Sequence, residues 1–237
     1  MIQVKNLTKR YRDLVAVDDL NFEVQKGEIL GFLGPNGAGK STTMKILTGF
    51  MPASSGSASV AGFDVFEHPI EVKRRVGYLP EVPPLYPEMT VHAYLKFVAS
   101  LKGVPGKRVG SELERVANLT GIASVMDRLI NNASKGYKQR VGIAQAILNN
   151  PDVLILDEPM SGLDPHQNRE IRELVKSLAG QHTIILSTHT LPEVTATCQK
   201  ALIIKGGKMV AYDSLENLMK NDQQASLEEI FIRLTSD

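Results

Sequence analysis

The chain has 237 residues, 43% of them hydrophobic, with no tryptophan and one cysteine. Its 27 basic and 26 acidic residues leave a net charge of +1, which gives no general electrostatic reason to expect a nucleic-acid partner. The lone Cys198 excludes an internal disulfide and suits a reducing compartment. The opening MIQVKNLTKRY lacks a signal-length apolar stretch, and no window approaches the roughly 18 apolar residues of a membrane span. The expectation is a soluble, cytoplasmic chain, so that any membrane role must come through a partner.

Strand signals come first in the chain, at IQVKNL, LNFEV and EILGFLG and then at SASVAG. LNFEV alternates apolar and polar residues, as a half-buried strand does. EILGFLG runs through glycine-rich sequence into STTMKILTGF, a helical stretch. Pro80, Pro83, Pro84 and Pro87 predict a stiff, extended loop. Helical spacing follows in TVHAYLKFVASLKG, SELERVANLTGI and NASKGYKQRVGIAQAI. In the last of these Ser134 and Gly136 stand where the helix begins. PDVLILDEP and HTIILSTH are short continuous apolar runs of the kind buried on both faces of a parallel sheet, with helical QNREIRELVKSLAG between them. The ending SLEEIFIRLTSD places Leu227, Ile230, Phe231 and Leu234 on one helical stripe, which predicts a helix packed on its own domain. The order is α/β, helical insertion, α/β. It predicts one domain over 1–237, with a core of 1–81 and 150–212, a helical subdomain at 82–149 and a helical tail at 213–237.

Three motifs carry chemistry. Gly34-Pro35-Asn36-Gly37-Ala38-Gly39-Lys40-Ser41-Thr42 fits G-x-x-x-x-G-K-[ST] between a strand and a helix. In such a loop Gly34, Gly37 and Gly39 let the backbone turn its N–H groups onto phosphates. Lys40 brings a cation to the β- and γ-phosphates, Ser41 offers a hydroxyl to Mg²⁺, and Thr42 assists from the next position. Asp157 ends the apolar VLIL run, where a carboxylate holds Mg²⁺ through water, and Glu158 follows it as the candidate to orient or deprotonate the attacking water. His189 lies just beyond another apolar strand, at the end where open α/β sheets bind ligands. These elements predict a nucleoside-triphosphate hydrolase. A kinase is the rival reading, without any acceptor pocket to support it. The start of the Ser134 helix is a second anion-favouring feature, about a hundred residues from the first.

With SKG read beside GPNGAGKST and VLILDEP, nearly the whole chain resembles the ATP-binding subunit of an ABC transporter. That resemblance implies a P-loop NTPase of RecA-like core, mostly parallel with N-terminal antiparallel strands, and an inserted α-helical subdomain. It implies ATP and Mg²⁺ as cofactors and Tyr11 as the aromatic residue stacked on adenine, although an ordinary strand-edge tyrosine reads the same. It places Glu81 at the glutamine-loop position, where a carboxylate approaches Mg²⁺ or water but lacks an amide donor. It assigns 133–137 to the signature, with Ser134 and Gly136 retained while Lys135 and Tyr137 depart from LSGGQ, and Ser161-Gly162-Leu163-Asp164 to the D-loop. It also implies a head-to-tail dimer, with a second copy or a related ATPase, in which Ser134 and Gly136 of one chain meet the γ-phosphate held by Lys40 of the other. Separate membrane-embedded permease subunits would hold the chain at the inner face of the cell membrane, with no nucleic-acid partner. LYPEMTVHAYLKFVASLKG, SKGYKQRVGIAQAI and SLEEIFIRLT are similar to the type-2 exporter branch. The alternatives are an importer ATPase and a soluble nucleotide switch acting on ribosomes or nucleic acid.

Overall fold

The computed structural model describes residues 1–220 and 227–235. The alternation in LNFEV is realised directly: Leu20, Phe22 and Val24 are buried while Asn21 and Glu23 are exposed. That segment closes β2 (Leu14–Val24), which pairs antiparallel with β1 (Ile2–Tyr11). The next strand, β3 (Ile29–Leu33), belongs to a different sheet. The following two, β4 (Ser55–Val60) and β5 (Phe63–Asp64), return to the first and complete the order β2-β1-β4-β5.

The second sheet has six strands. To β3 it adds β6 (Val76–Leu79), β7 (Val153–Asp157), β8 (Thr183–Thr188), β9 (Lys200–Lys205) and β10 (Lys208–Ser214), in the order β10-β9-β3-β8-β7-β6. All neighbours are parallel except β10, which runs antiparallel to β9. Every residue of β3, β7 and β8 is buried, because helices or the first sheet cover both faces.

The helices are α1 (Lys40–Leu47), α2 (Pro69–Arg75), α3 (Val91–Leu101), α4 (Gly106–Thr120), α5 (Lys135–Ile147), α6 (Pro165–Leu178), α7 (Leu191–Thr197), α8 (Leu215–Lys220) and α9 (Leu227–Thr235). One face of the large sheet packs Phe32, Ile155 and Ile185 against Met44 and Leu47 of α1 and against Leu20 and Phe22 of the antiparallel sheet. The other face packs Leu33, Leu156 and Leu186 in one continuous cluster with Val91, Leu95, Leu113, Val141, Ile143 and Ile171. The inserted helices therefore share a core with the sheet.

Close backbone approach fixes α5 against the sheet. A Cβ on Gly77 of β6 would lie 2.2 Å from the Ala146 carbonyl oxygen, so only glycine fits there. Gln145 Nε2 then donates to the Tyr78 carbonyl at 2.6 Å. On the same face α7 crosses β3 closely enough that a Cβ on Gly31 would meet Val194 at 2.7 Å. Cys198 is buried beside it, as a small hydrophobe should be, and burial, with the Glu193 charge adding to it, pushes its thiol up to about 12.

One boundary differs from the sequence expectation. Residues 213 and 214, assigned to a helical tail, end β10 instead, because Asp213 and Ser214 pair with Ala201 and Lys200. The last helix occupies Leu227–Thr235. It buries Leu227 and Ile230 and packs Phe231 and Leu234 partly against the cluster that holds Leu33, Leu156 and Leu186; Ser226, Ser236 and Asp237 lie outside the described residues. Among the described residues, no helix is long and apolar enough to cross a membrane.

Candidate nucleotide site

The phosphate loop joins β3 to α1, and its three glycines have three different reasons. A Cβ on Gly34 would sit 2.3 Å from the Ile204 carbonyl oxygen, and one on Gly39 would sit 2.4 Å from that of Ala16. Gly37 faces open space, but its φ of +79° is a conformation that L side chains rarely adopt. The loop is thus clamped by β9 and β2 while its tip stays open. Ala38 is buried, and its carbonyl accepts from Gly207 N at 3.0 Å. Lys40 is only 6% exposed and donates to the carbonyls of Gly34 at 2.7 Å and Pro35 at 3.3 Å.

Asp157 is the last residue of β7, and Glu158 leaves the strand at φ +52°, a left-handed conformation uncommon for a non-glycine residue. Strained backbone of this kind concentrates at functional positions. The turn carries the Glu158 carboxylate between an ammonium and an imidazole: Lys40 Nζ lies 3.4 Å from Oε1, and His189 Nδ1 lies 2.9 Å from Oε2. The sequence placed His189 at the end of a strand where open α/β sheets bind ligands, and its ring there is bonded to Glu158. Asp157 is 2% exposed, and its Oδ1 has no partner among the described residues. Beside it on β6, burial and then the charge of Asp157 push the Tyr78 phenol up to about 12, so it remains a neutral O–H group.

A cavity of about 460 Å³ gathers Tyr11, Asn36, Gly37, Gly39, Lys40, Ser41, Thr42, Glu81, Glu158 and His189 on its walls. Tyr11 is 41% exposed at the end of β1, with its hydroxyl 3.0 Å from Met51 Sδ, and Glu81 is exposed on the loop after β6. Leu14, Ala16 and Ser161 also line the cavity. Leu14 is 64% exposed at the start of β2, and an apolar residue so close to Tyr11 was the one available sequence signal for that wall.

Ser134 and Gly136 are elsewhere. Ser134 is the N-cap of α5, its hydroxyl accepting from Tyr137 N at 3.3 Å, and Gly136 is buried against Gln167. They line a separate cavity of about 330 Å³ with Gly121, Tyr137, Arg140, Gln167 and Glu170, which shares no wall residue with the first. Asp164 caps α6, accepting from Gln167 N at 2.9 Å, and so sits beside this second site. The side chain of Lys135 lies over Gly162: a Cβ there would fall 2.0 Å from Lys135 Nζ. That nitrogen is the movable end of a long side chain, and what favours glycine at 162 is its φ of +66°.

A phosphate loop set between the central strand and α1, with an acidic pair on the next strand but one, defines a P-loop nucleoside triphosphatase with an inserted helical segment. Residues 17–161, more than half of the chain, match the protein family described as ABC transporter. The chain is 33% identical to the ABC transporter ATP-binding protein NatA of Bacillus subtilis, over 98% of this chain and 97% of that one. It is 35% identical over its full length to the probable multidrug ABC transporter ATP-binding protein YbhF of Escherichia coli, but spans only 42% of that relative's length. A solved structure of the ATP-binding subunit of an ABC transporter superposes with a TM-score of 0.89 at 31% identity, covering 99% of both chains. The chain belongs to the ABC transporter family, as one of its ATP-binding cassettes.

Proposed function

We propose that this chain binds and hydrolyses Mg·ATP as one half of a head-to-tail pair of cassettes, and that the pair drives a separate membrane-embedded permease in export across the cell membrane. The observation that carries the reading is the separation of two anion-receiving elements. Lys40 and the glycine loop line one cavity, and the capped start of α5 lines another. A second copy, or a related ATPase, turned head to tail gives the α5 terminus a phosphate to meet and closes the open side of the nucleotide cavity.

The residues fit magnesium. The unpaired Oδ1 of Asp157 and the hydroxyl of Ser41 on the cavity wall suit a hard cation, with Glu81 on the same wall. Among the described residues no group of three or more His, Cys, Asp or Glu is poised to cage a metal, which agrees with an ion that takes its other ligands from phosphate and water. When bound, Mg²⁺ neutralises charge on the β- and γ-phosphates.

The chain's own residues supply the rest. Backbone N–H groups of Gly37–Thr42 and the Lys40 ammonium hold the phosphates, and the Tyr11 ring stacks on the adenine. The Glu158 carboxylate, held by His189, accepts a proton from the attacking water as that water's oxygen bonds to the γ-phosphorus. The bond to the bridging oxygen breaks, and ADP and phosphate leave. Removing the γ-phosphate that joins Lys40 to Ser134 of the partner subunit reopens the pair. Because α5 is anchored to β6 through Gly77 and Gln145, movement at its start is passed to the loop carrying Glu81.

The names of NatA and YbhF support the transporter role, and the exporter-like segments support export in particular. Exposed Phe50 and Phe66 edge one groove beside α2, and exposed Ile70 and Leu101 edge another, a surface suited to a protein partner. The test is size-exclusion chromatography of Glu158→Gln in saturating MgATP. It should elute as a dimer with turnover at least a hundredfold lower, the scale of general-base loss. A monomer under those conditions contradicts the pairing, and unchanged turnover contradicts the base.

A further inference from the structure

Three adjacent strands end beside α1, and each presents a buried oxygen with no partner. Of the eight buried polar side-chain atoms lacking a hydrogen bond among the described residues, three are Tyr78 OH, Asp157 Oδ1 and Ser187 Oγ. They stand on β6, β7 and β8, which are neighbours in that order. Asp157 is directly opposite Ser187, and Tyr78 is one step back, opposite Ile155.

Strand alternation puts all three on one face. Val76, Ile155 and Ile185 belong to the cluster under α1, and Tyr78, Asp157 and Ser187 follow the same two-residue period. The helix on that face carries Ser41 and begins at Lys40. Ser187 is fully buried, Asp157 is 2% exposed, and Tyr78 lies close enough to Asp157 to feel its charge.

A buried polar atom left unpaired costs about 1–3 kcal/mol. Three unpaired oxygens grouped at one strand end, behind a phosphate loop, are a poor arrangement for packing alone. The chemistry is also complementary: two hydroxyl donors flank one carboxylate acceptor. A hydrated cation needs this kind of support, because its waters donate to carboxylates and to hydroxyl oxygens alike.

We propose that Tyr78 and Ser187 are positioning residues for the magnesium site, their hydroxyls hydrogen-bonding the water that links the Asp157 carboxylate to the ion. The proposal rests on the Mg·ATP reading above. Tyr78 and Ser187 touch neither nucleotide nor reacting atoms. They orient Asp157 and hold its water, as outer-shell groups do at metal sites generally. The sequence hint is slight, a tyrosine and a serine inside otherwise apolar strands.

The test measures metal binding apart from turnover. Mn²⁺ replaces Mg²⁺, and free Mn²⁺ is followed by electron paramagnetic resonance in saturating ATP, for the wild type, Tyr78→Phe, Ser187→Ala and Asp157→Asn. ATP affinity in EDTA and thermal stability without metal are measured on the same proteins. The expected result is Mn²⁺ affinity weakened about 10–100-fold in Tyr78→Phe and in Ser187→Ala. Metal-free ATP affinity should be unchanged, and stability equal or higher, since each change deletes an unpaired buried hydroxyl. A wild type that binds no Mn²⁺ with ATP overturns the parent reading. A wild type that binds it while both variants match it overturns this proposal alone. A variant that loses stability and metal-free ATP affinity together with Mn²⁺ affinity also overturns it, because the hydroxyl would then serve packing.

Discussion

Gly77→Ala is a sharp test of how α5 is held, because the added methyl would meet backbone. Its Cβ would lie 2.2 Å from the Ala146 carbonyl oxygen, where ordinary contact begins near 3.4 Å, so α5 must retreat by about 1.2 Å. Overpacking of this kind costs about 1–3 kcal/mol. The retreat also stretches the 2.6 Å bond from Gln145 Nε2 to the Tyr78 carbonyl out of range, a further loss of about 0.5–1.5 kcal/mol. The sum is about 1.5–4.5 kcal/mol. At roughly 2–4 °C per kcal/mol for a chain of this size, the Tm should fall by about 3–18 °C. Gly142→Ala is the internal comparison, since its Cβ would meet the movable end of Leu79 at 2.6 Å, and it should cost less. Gly110→Ala sets the opposite sign: it lies inside α4 with nothing within 4 Å, so alanine should stabilise by about 0.5–1 kcal/mol. Urea unfolding of the three variants, followed by circular dichroism, reads all of these. If Gly77→Ala falls within 0.5 kcal/mol of the wild type, or Gly142→Ala costs more, then α5 is not seated on β6 as described.

Two further outcomes follow from the same structure. Burial pushes the Lys102 ammonium down to about 8, against a smaller opposing pull from Glu112, while its Nζ donates to the Ala146 carbonyl at 2.8 Å. Between pH 8 and the ordinary lysine value the unfolded chain keeps a proton that the folded chain has released, so this group's contribution to stability rises with pH across that window. Lys102→Met removes the rise: its stability relative to wild type should fall between pH 7 and pH 10 by up to about 3 kcal/mol, and a difference that does not change with pH refutes the assignment. Tagged Glu158→Gln, recovered from gently solubilised membranes in MgATP, should bring down a multi-span membrane protein in stoichiometric amount. Recovery of ribosomes or DNA-associated proteins instead would move the reading to a soluble nucleotide switch.

Much of the site was legible because its residues obey local rules. Gly34 to Thr42 announce a phosphate loop by spacing, VLILD announces a buried strand ending in a carboxylate, and Ser134 announces a helix start. What stayed hidden depends on contacts between distant segments. The four residues of β6 are too short to stand out beside the charged run that precedes them, and Gly77 reads as a strand-breaker until α5 is laid against it. The strands β9 and β10 were covered only by the broad α/β assignment, and Pro69 starts a helix too short to show a period. The left-handed turn at Glu158, its bond to His189, and the fit of Lys135 over Gly162 have no signature in spacing at all. Tyr78 and Ser187 were missed for the same reason, since their alignment with Asp157 exists only in the sheet order.

The central claim is that each nucleotide is shared between two chains, and mixing two disabled chains tests it most directly. Lys40→Ala removes the phosphate cation. Ser134→Asp keeps an N-cap of equal quality on α5 but sets a carboxylate against the γ-phosphate. Each variant alone should be inactive. In a head-to-tail pair of one with the other, both lesions fall in the same site and the second site is intact. Random pairing makes half of the dimers mixed, each with one working site of two, so the mixture should recover about a quarter of wild-type ATP turnover. A mixture as inactive as its components would contradict the account, because Ser134 and Lys40 would then serve a nucleotide within one chain or not meet it at all.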